Sequence, residues 1–225
     1  MFLRHFLSLI FPEKCAYCGK LTDQPNRPCE QCRKTLPRAD EAKIFCRVCG
    51  REKPLCTCHE IYFDGCVGCF AYEGAVRRAM HNFKFYKTPA LAGAFGAEMA
   101  NSLRQSGMDT RFDMVCCVPL HRSGKRARGY NQSELLAREI AKSLRIPCRP
   151  GMLTKLRKTP PQHTLSAKQR ATNLLGAFDC RADLAGCRIL LVDDITTTGA
   201  TLNECAKTLK ARGAREVCGC VLATV

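Results

Sequence analysis

Two adjacent carboxylates, Asp193 and Asp194, follow an apolar run and stand just before the loop Thr196-Thr-Thr-Gly-Ala-Thr201. That order suits a sugar phosphate. Carboxylate oxygens accept hydrogen bonds from the 2′ and 3′ hydroxyls of a ribose, or ligate a Mg²⁺ carried by a pyrophosphate. A loop of Thr196, Thr197, Thr198, Gly199, Ala200 and Thr201 can turn successive backbone N–H groups and hydroxyls toward one point at the positive end of the next helix, where a 5′-phosphate fits. Such chemistry needs rigid neighbours. Ile189 to Val192 is a short apolar run that predicts a central parallel strand, and Ala200 to Lys210 carries apolar residues at helical spacing, with Gly213 ending the helix.

The stretch from Arg188 to Thr201 resembles the PRPP-binding motif of type I phosphoribosyltransferases, in which hydrophobic residues precede two acidic residues and a Thr/Gly-rich loop. The resemblance makes Asp193 and Asp194 the expected catalytic pair. Phe112 to Val118 predicts a second buried strand. It leads into a loop bearing Arg122, Lys125, Arg126 and Arg128, placed beyond the carboxyl end of a strand, where open α/β sheets bind ligands. Asn131 and Glu134 then form a plausible capping pair for a helix whose Leu135, Leu136, Ile140 and Leu144 make an apolar stripe.

Ten of the eighteen cysteines lie between Cys15 and Cys69. Cys15-Ala-Tyr-Cys18 and Cys29-Glu-Gln-Cys32 have the spacing of two zinc knuckles that close one tetrahedron. Cys46-Arg-Val-Cys49 opens a second set, for which Cys56/Cys58 and Cys66/Cys69 compete. Cys56 and Cys58 are favoured, because Cys66 and Cys69 sit in Phe63-Asp-Gly-Cys-Val-Gly-Cys-Phe-Ala-Tyr72, which reads as a strand that would point the two thiols to opposite faces. His59 reads as exposed. Because a module this small lacks a core of its own, two structural zinc ions are expected to supply its folding energy.

The net charge of +16 treats every cysteine as neutral; two tetrathiolate zinc sites would bring it to about +12. Lys and Arg concentrate around 122 to 128, 145 to 170 and 207 to 215, which favours polyphosphates and nucleic-acid backbones as partners. No run approaches the ~18 apolar residues of a membrane span. Met1 to Phe11 lacks a small-residue cleavage site, and cysteine pairs ahead of an α/β domain suit a reducing compartment, so a cytoplasmic location is expected.

Arg126-Ala-Arg-Gly-Tyr-Asn-Gln-Ser133, the two cysteine sets and Val192-Asp-Asp-Ile-Thr-Thr-Thr-Gly-Ala-Thr201 together resemble the ComF family. The resemblance implies an α/β chain with a double zinc-ribbon module over 1–60 and a type I phosphoribosyltransferase-like parallel-sheet domain over 61–225. It also implies a PRPP site that includes Arg126, Arg128 and Lys84 (of Lys84-Phe85, expected before the first core helix), with Mg²⁺ accompanying the PRPP. The family's pattern also has an Arg…Gln…Arg-x-x-Asn segment, matched by Arg157 to Gln162 and Arg170 to Asn173, which implies a mobile loop over the site at Lys158 to Gln169. The loop reading also stands alone, since Thr159-Pro-Pro-Gln-His-Thr164 interrupts two ordered segments and leaves His163 exposed. The family association is with incoming DNA during natural competence, so single-stranded DNA, a DNA-uptake helicase and other competence proteins are the implied partners. One departure is visible: the second zinc set ends in Cys56-x-Cys58, where Cys-x-x-Cys is expected. Two other readings fit the residues, a phosphoribosyltransferase for an unidentified nitrogen acceptor and a zinc-ribbon regulator without turnover.

Overall fold

Residues Ile189 to Val192 carry no polar side chain, so a strand built from them is stable only when covered on both faces. The computed structural model, which describes residues 14–22, 27–39, 61–86, 88–157 and 174–225, satisfies that demand. The elements run α1 (Glu30–Thr35), β1 (Gly65–Ala71), α2 (Gly74–Phe85), α3 (Leu91–Gln105), β2 (Met114–Cys117), α4 (Arg122–Arg128), α5 (Gln132–Leu144), β3 (Leu153–Lys155), β4 (Phe178–Cys180), β5 (Arg188–Thr196), α6 (Ala200–Lys210) and β6 (Glu216–Thr224). Four strands form a parallel sheet in the order β1-β6-β5-β2, and β3 and β4 form a separate antiparallel hairpin. β5 lies between β6 and β2, as its apolar run predicts.

Successive residues of β5 feed two cores. Leu190 and Val192 meet α2, α3 and α5 on one face, while Ile189 and Leu191 meet α6 and the β3–β4 hairpin on the other. The expected stripe on α5 is core: Leu136 and Ile140 are fully buried, with Leu135 and Leu144 packed against the same cluster. β5 runs longer than the apolar stretch, because pairing with β6 continues through Asp193↔Val221 to Thr196↔Thr224. Main-chain pairing therefore holds both carboxylates rigid.

The segment 122–128, read as a loop, is a short helix. The His121 side chain accepts from the Ser123 N–H at its start, and Gly129 ends it at φ 84 in the left-handed region. No apolar periodicity announces this helix, since none of its residues is buried. Lys84-Phe85 forms the last turn of α2 and precedes the largely buried α3, which begins at Leu91.

The first cysteine knuckle shares the main core. Tyr17 is 3% exposed, and its ring packs edge-on against Phe70 at 5.7 Å and Phe95 at 5.5 Å. Arg38 lies over the outer side of that contact, 4.8 Å from the Phe70 ring centre and 2.8 Å from Glu98 Oε2. Cys46, Cys49, Cys56, Cys58 and His59 lie outside the described residues, as do the junction of the expected 1–60 and 61–225 units and residues 158–173.

Gly96 allows α3 to approach α5 closely, since a Cβ there would stand 2.4 Å from the Glu139 Cβ, an atom fixed to its own helix. Gly96→Ala is expected to destabilise the chain by about 1–3 kcal/mol through overpacking, despite the better helix propensity of alanine. Urea unfolding measures it; a variant as stable as the parent would show that the two helices slide apart freely.

Candidate functional site

The carboxylates lie near the carboxyl end of β5 in a nearly closed setting, Asp193 being 9% and Asp194 7% exposed. Each has a partner delivered by a different helix. Asp193 Oδ1 accepts from Ser133 Oγ at 2.8 Å and from the Asp194 N–H at 2.9 Å; Asp194 Oδ2 stands 3.0 Å from Lys84 Nζ. Ser133 comes from the first turn of α5 and Lys84 from the last turn of α2. Burial, followed by the charge of Asp194, pushes the Asp193 carboxyl up to about 7, against the pull of Ser133, the Asp194 N–H and Lys84. Two carboxylates this close and this dry share their negative charge unequally.

The loop after β5 is folded on itself. Thr196 Oγ1 accepts from the Gly199 N–H at 3.1 Å, and Thr198 Oγ1 accepts from the Ala200 N–H at 3.4 Å. Gly199, at φ 74, is the N-cap of α6, a left-handed position that favours glycine. The loop thus joins β5 to α6, with two of its N–H groups bonded to its own hydroxyls. Thr197 and Thr201 complete the loop.

The basic residues divide. Arg128 donates to Gln132 Oε1 at 3.2 Å and lies 5.6 Å from the Phe85 ring centre, while Arg126 is exposed on α4. Arg122 and Lys125, from the same helix, line a cleft of 790 Å³ whose lining also includes Lys155 and Arg181. Lys84, Asp193 and Asp194 are therefore brought into contact, whereas no hydrogen bond or ion pair joins Arg126 or Arg128 to them among the described residues. Two neighbours were missed from sequence. Ser133 looks like an ordinary first-turn residue, and Asn131, expected as half of a capping box, both accepts from the Ser133 N–H and donates to the Val118 carbonyl at 3.0 Å. Glu134, its expected partner, pairs instead with Lys125 and Arg138. Tyr130 and Gln132 both donate to the Phe83 carbonyl, which fixes the turn bearing Lys84.

A second centre lies on the knuckle. The sulfurs of Cys15, Cys18, Cys29 and Cys32 are all within 4.8 Å of one another, and Cys18 and Cys29 are 3.7 Å apart. A tetrahedron with Zn–S bonds of about 2.3 Å has sulfurs about 3.8 Å apart, so the four thiols fit zinc. Burial works against the Cys15 thiolate, but N–H groups of Cys29, Cys18 and Tyr17 outweigh it and hold this thiol at about 6, while burial pushes Cys32 up. Cys66 and Cys69 lie in β1, where Cys69 is buried among α2 and α3 side chains and Cys66 packs against the opposite core.

A family model described as phosphoribosyl transferase domain matches residues 131–225. The chain is 30% identical over 207 residues to the DNA utilization protein YhgH of Escherichia coli (strain K12), covering 90% of this chain and 86% of that protein. It is 28% identical over 221 residues to Competence protein F of Haemophilus influenzae, covering 92% and 95% of the two chains. Among solved structures, the purine phosphoribosyltransferase from Pyrococcus horikoshii aligns at 21% identity and a TM-score of 0.34, over 56% of this chain and 68% of that one. No helix among the described residues is long and apolar enough to cross a membrane. A relative this similar along almost its whole length, joined to a parallel sheet that ends in paired carboxylates and a threonine loop, identifies the chain as a member of the ComF family, with a type I phosphoribosyltransferase fold behind four cysteines placed to hold zinc.

Proposed function

We propose that this chain binds PRPP at the carboxyl end of β5 and uses that site in the handling of incoming DNA. The observation that carries the reading is the convergence of Lys84, Ser133, Asp193 and Asp194 on one buried strand end, directly before the threonine loop. In this reading Thr196 to Thr201 receive the 5′-phosphate at the start of α6, Asp193 and Asp194 accept from the ribose hydroxyls, and Lys84 keeps the pair from repelling the ligand's own charge. Arg126 and Arg128 on α4, together with the cations that line the cleft beside that helix, would neutralise a pyrophosphate. Mg²⁺ bound with PRPP would supply further charge neutralisation for the departing pyrophosphate. The zinc site positions the knuckle and takes no part in this chemistry.

The DNA part of the reading is supported by the names of the relatives, a DNA utilization protein and a competence protein, and by the charge of +16. Turnover is a separate question. No motif that would recognise an acceptor base is legible in the sequence. PRPP binding is thus better supported than transfer to a particular acceptor. Pyrophosphate release with some nitrogen acceptor marks an enzyme; binding without release marks a sensor; oligonucleotide binding indifferent to PRPP marks a regulator.

Replacing Asp193 and Asp194 together with Asn is expected to weaken Mg²⁺-dependent PRPP binding at least tenfold (about 1.4 kcal/mol) while circular dichroism stays native, as the amides keep the shape and lose the charge. Calorimetry decides; unchanged affinity removes the ribose-site assignment.

The raised Asp193 gives a distinct signature without ligand. The native chain retains a proton there up to about pH 7, which the unfolded chain releases near pH 4, so this group's contribution to stability falls as pH rises from about 4 to 7. Asp193→Asn is therefore expected to be more stable than the parent by about 1–3 kcal/mol at pH 8, with the gap closing toward pH 4. Thermal melts of both chains across that range measure it, and a gap independent of pH would show that Asp193 does not titrate there.

Cys15→Ser combined with Cys18→Ser is expected to lower the bound zinc by one equivalent per chain relative to the parent. Metal analysis reads this directly, and an unchanged zinc content would place the metal elsewhere.

A further inference from the structure

A lysine ends β3 at a position where the strand's period calls for an apolar residue. Leu153 is buried and Thr154 exposed, so Lys155 returns to the face that Leu153 packs into the core. Its side chain is half-buried, with Nζ 5.5 Å from the ring centre of Phe178, its cross-strand neighbour. Among the described residues no hydrogen bond or ion pair reaches that ammonium. Burial pulls its pKa down while Cys205 and Asp193 pull it up, which puts Lys155 within electrostatic reach of the strand end. A partly dehydrated charge without an anion is costly, and a ligand's anion would offset that cost.

Lys155 lines the 790 Å³ cleft beside α4. Glu134, the one carboxylate among the described lining residues, is already held by Lys125 at 3.4 Å and by Arg138 at 2.9 Å. Arg181 lies 3.5 Å from Asp179 and is 94% exposed, and Arg122 belongs to α4 with the arginines given to the pyrophosphate. Lys155 is thus the half-buried cation of the cleft that has no anion among the described residues. The lining also carries Leu120, Pro150, Met152 and Leu156, the last of them 60% exposed. Asn131 joins the cleft to the strand-end site, since it lines the cleft and accepts from the N–H of Ser133, whose hydroxyl donates to Asp193.

The mixture of one unmet cation and an apolar lining separates three occupants. A pyrophosphate would pair with Lys155 but leave the apolar side chains facing a polyanion, and a neutral ring would cover them while burying Lys155 further without a partner. A ring that carries a carboxylate satisfies both. We propose that the cleft lined by α4 and β3 is the acceptor site, and that Lys155 selects a nitrogen nucleophile built on an apolar ring and bearing a carboxylate. This rests on the PRPP reading above and gives its unidentified acceptor a chemical class. In the transfer, the acceptor nitrogen supplies the electron pair for a new bond to C1 of the ribose, pyrophosphate leaves with the pair of the bond that breaks, and any proton on the attacking nitrogen passes to solvent. Lys155 pairs with the carboxylate and orients the nitrogen toward C1.

The test uses the full-length, zinc-loaded chain, titrated by calorimetry with PRPP and Mg²⁺. The PRPP-loaded chain is then titrated with acids and their amides on the same ring, nicotinate against nicotinamide and 4-aminobenzoate against 4-aminobenzamide, while pyrophosphate release is followed. The parent is expected to prefer an acid over its amide by about tenfold. Lys155→Met is expected to erase that preference while lowering PRPP affinity by less than about threefold, and Lys155→Arg, which restores the charge, is expected to keep it. Arg181→Gln, which alters an exposed cation of the same cleft, is also expected to keep it. Equal binding of acid and amide, or binding of no acid, overturns the proposal. So does a Lys155→Met loss that falls on PRPP as heavily as on the acid, which would assign the lysine to the pyrophosphate, or a shifted pH dependence of melting with the preference intact, which would make it a counter-charge for Asp193. A parent that binds no PRPP removes the ribose-site reading and this proposal with it, whereas PRPP binding without a preference for the acid removes this proposal alone.

Discussion

The pair of buried carboxylates near the carboxyl end of β5 is the constraint around which the molecule is arranged. A buried strand normally continues in apolar residues, and ending it in adjacent acids places charge where water is scarce. The pair persists because two helices deliver partners from different directions, Ser133 from the first turn of α5 and Lys84 from the last turn of α2. Those helices must then pack on the same face of the sheet, which is where Leu190 and Val192 direct their side chains. Hydrophobic burial positions the helices, and the polar contacts specify their register.

The same face receives the knuckle. Tyr17, Phe70, Phe95 and Phe83 form a continuous series of edge-on ring contacts, the last of them at 5.4 Å between Phe83 and Phe95. Phe83 precedes Lys84, and its carbonyl is held by Tyr130 and Gln132. The four knuckle cysteines and the strand-end carboxylates are thus two ends of one packed layer. Tyr17 keeps a hydroxyl without a hydrogen-bond partner in that layer, a cost offset by the area its ring buries.

The site was legible in its chain-local parts. Asp193, Asp194 and Thr196 to Thr201 are contiguous, and their place between an apolar strand and an amphipathic helix follows from periodicity alone. The placement of Cys66 and Cys69 on opposite faces of β1 could be read from the strand's period of two in the same way. Helix α4 escaped because its residues are all polar or small and none is buried, leaving no pattern to detect. Ser133 escaped because a serine at a helix start is ordinary.

What the sequence determined by itself is the set of local groups and the order of the elements: four cysteines at knuckle spacing, a buried strand, two acids and a threonine-rich loop. Short-range spacing encodes these because the groups concerned are held by one turn or one strand end. Which residues complete each site was decided only by the tertiary structure. Lys84 meets Asp194 across 110 positions and Ser133 meets Asp193 across 60, while Arg122 and Lys155 line one cleft from different elements. Such meetings depend on how helices seat on a twisted sheet, a result of packing many side chains at once, which leaves no periodic trace in the residues that happen to meet.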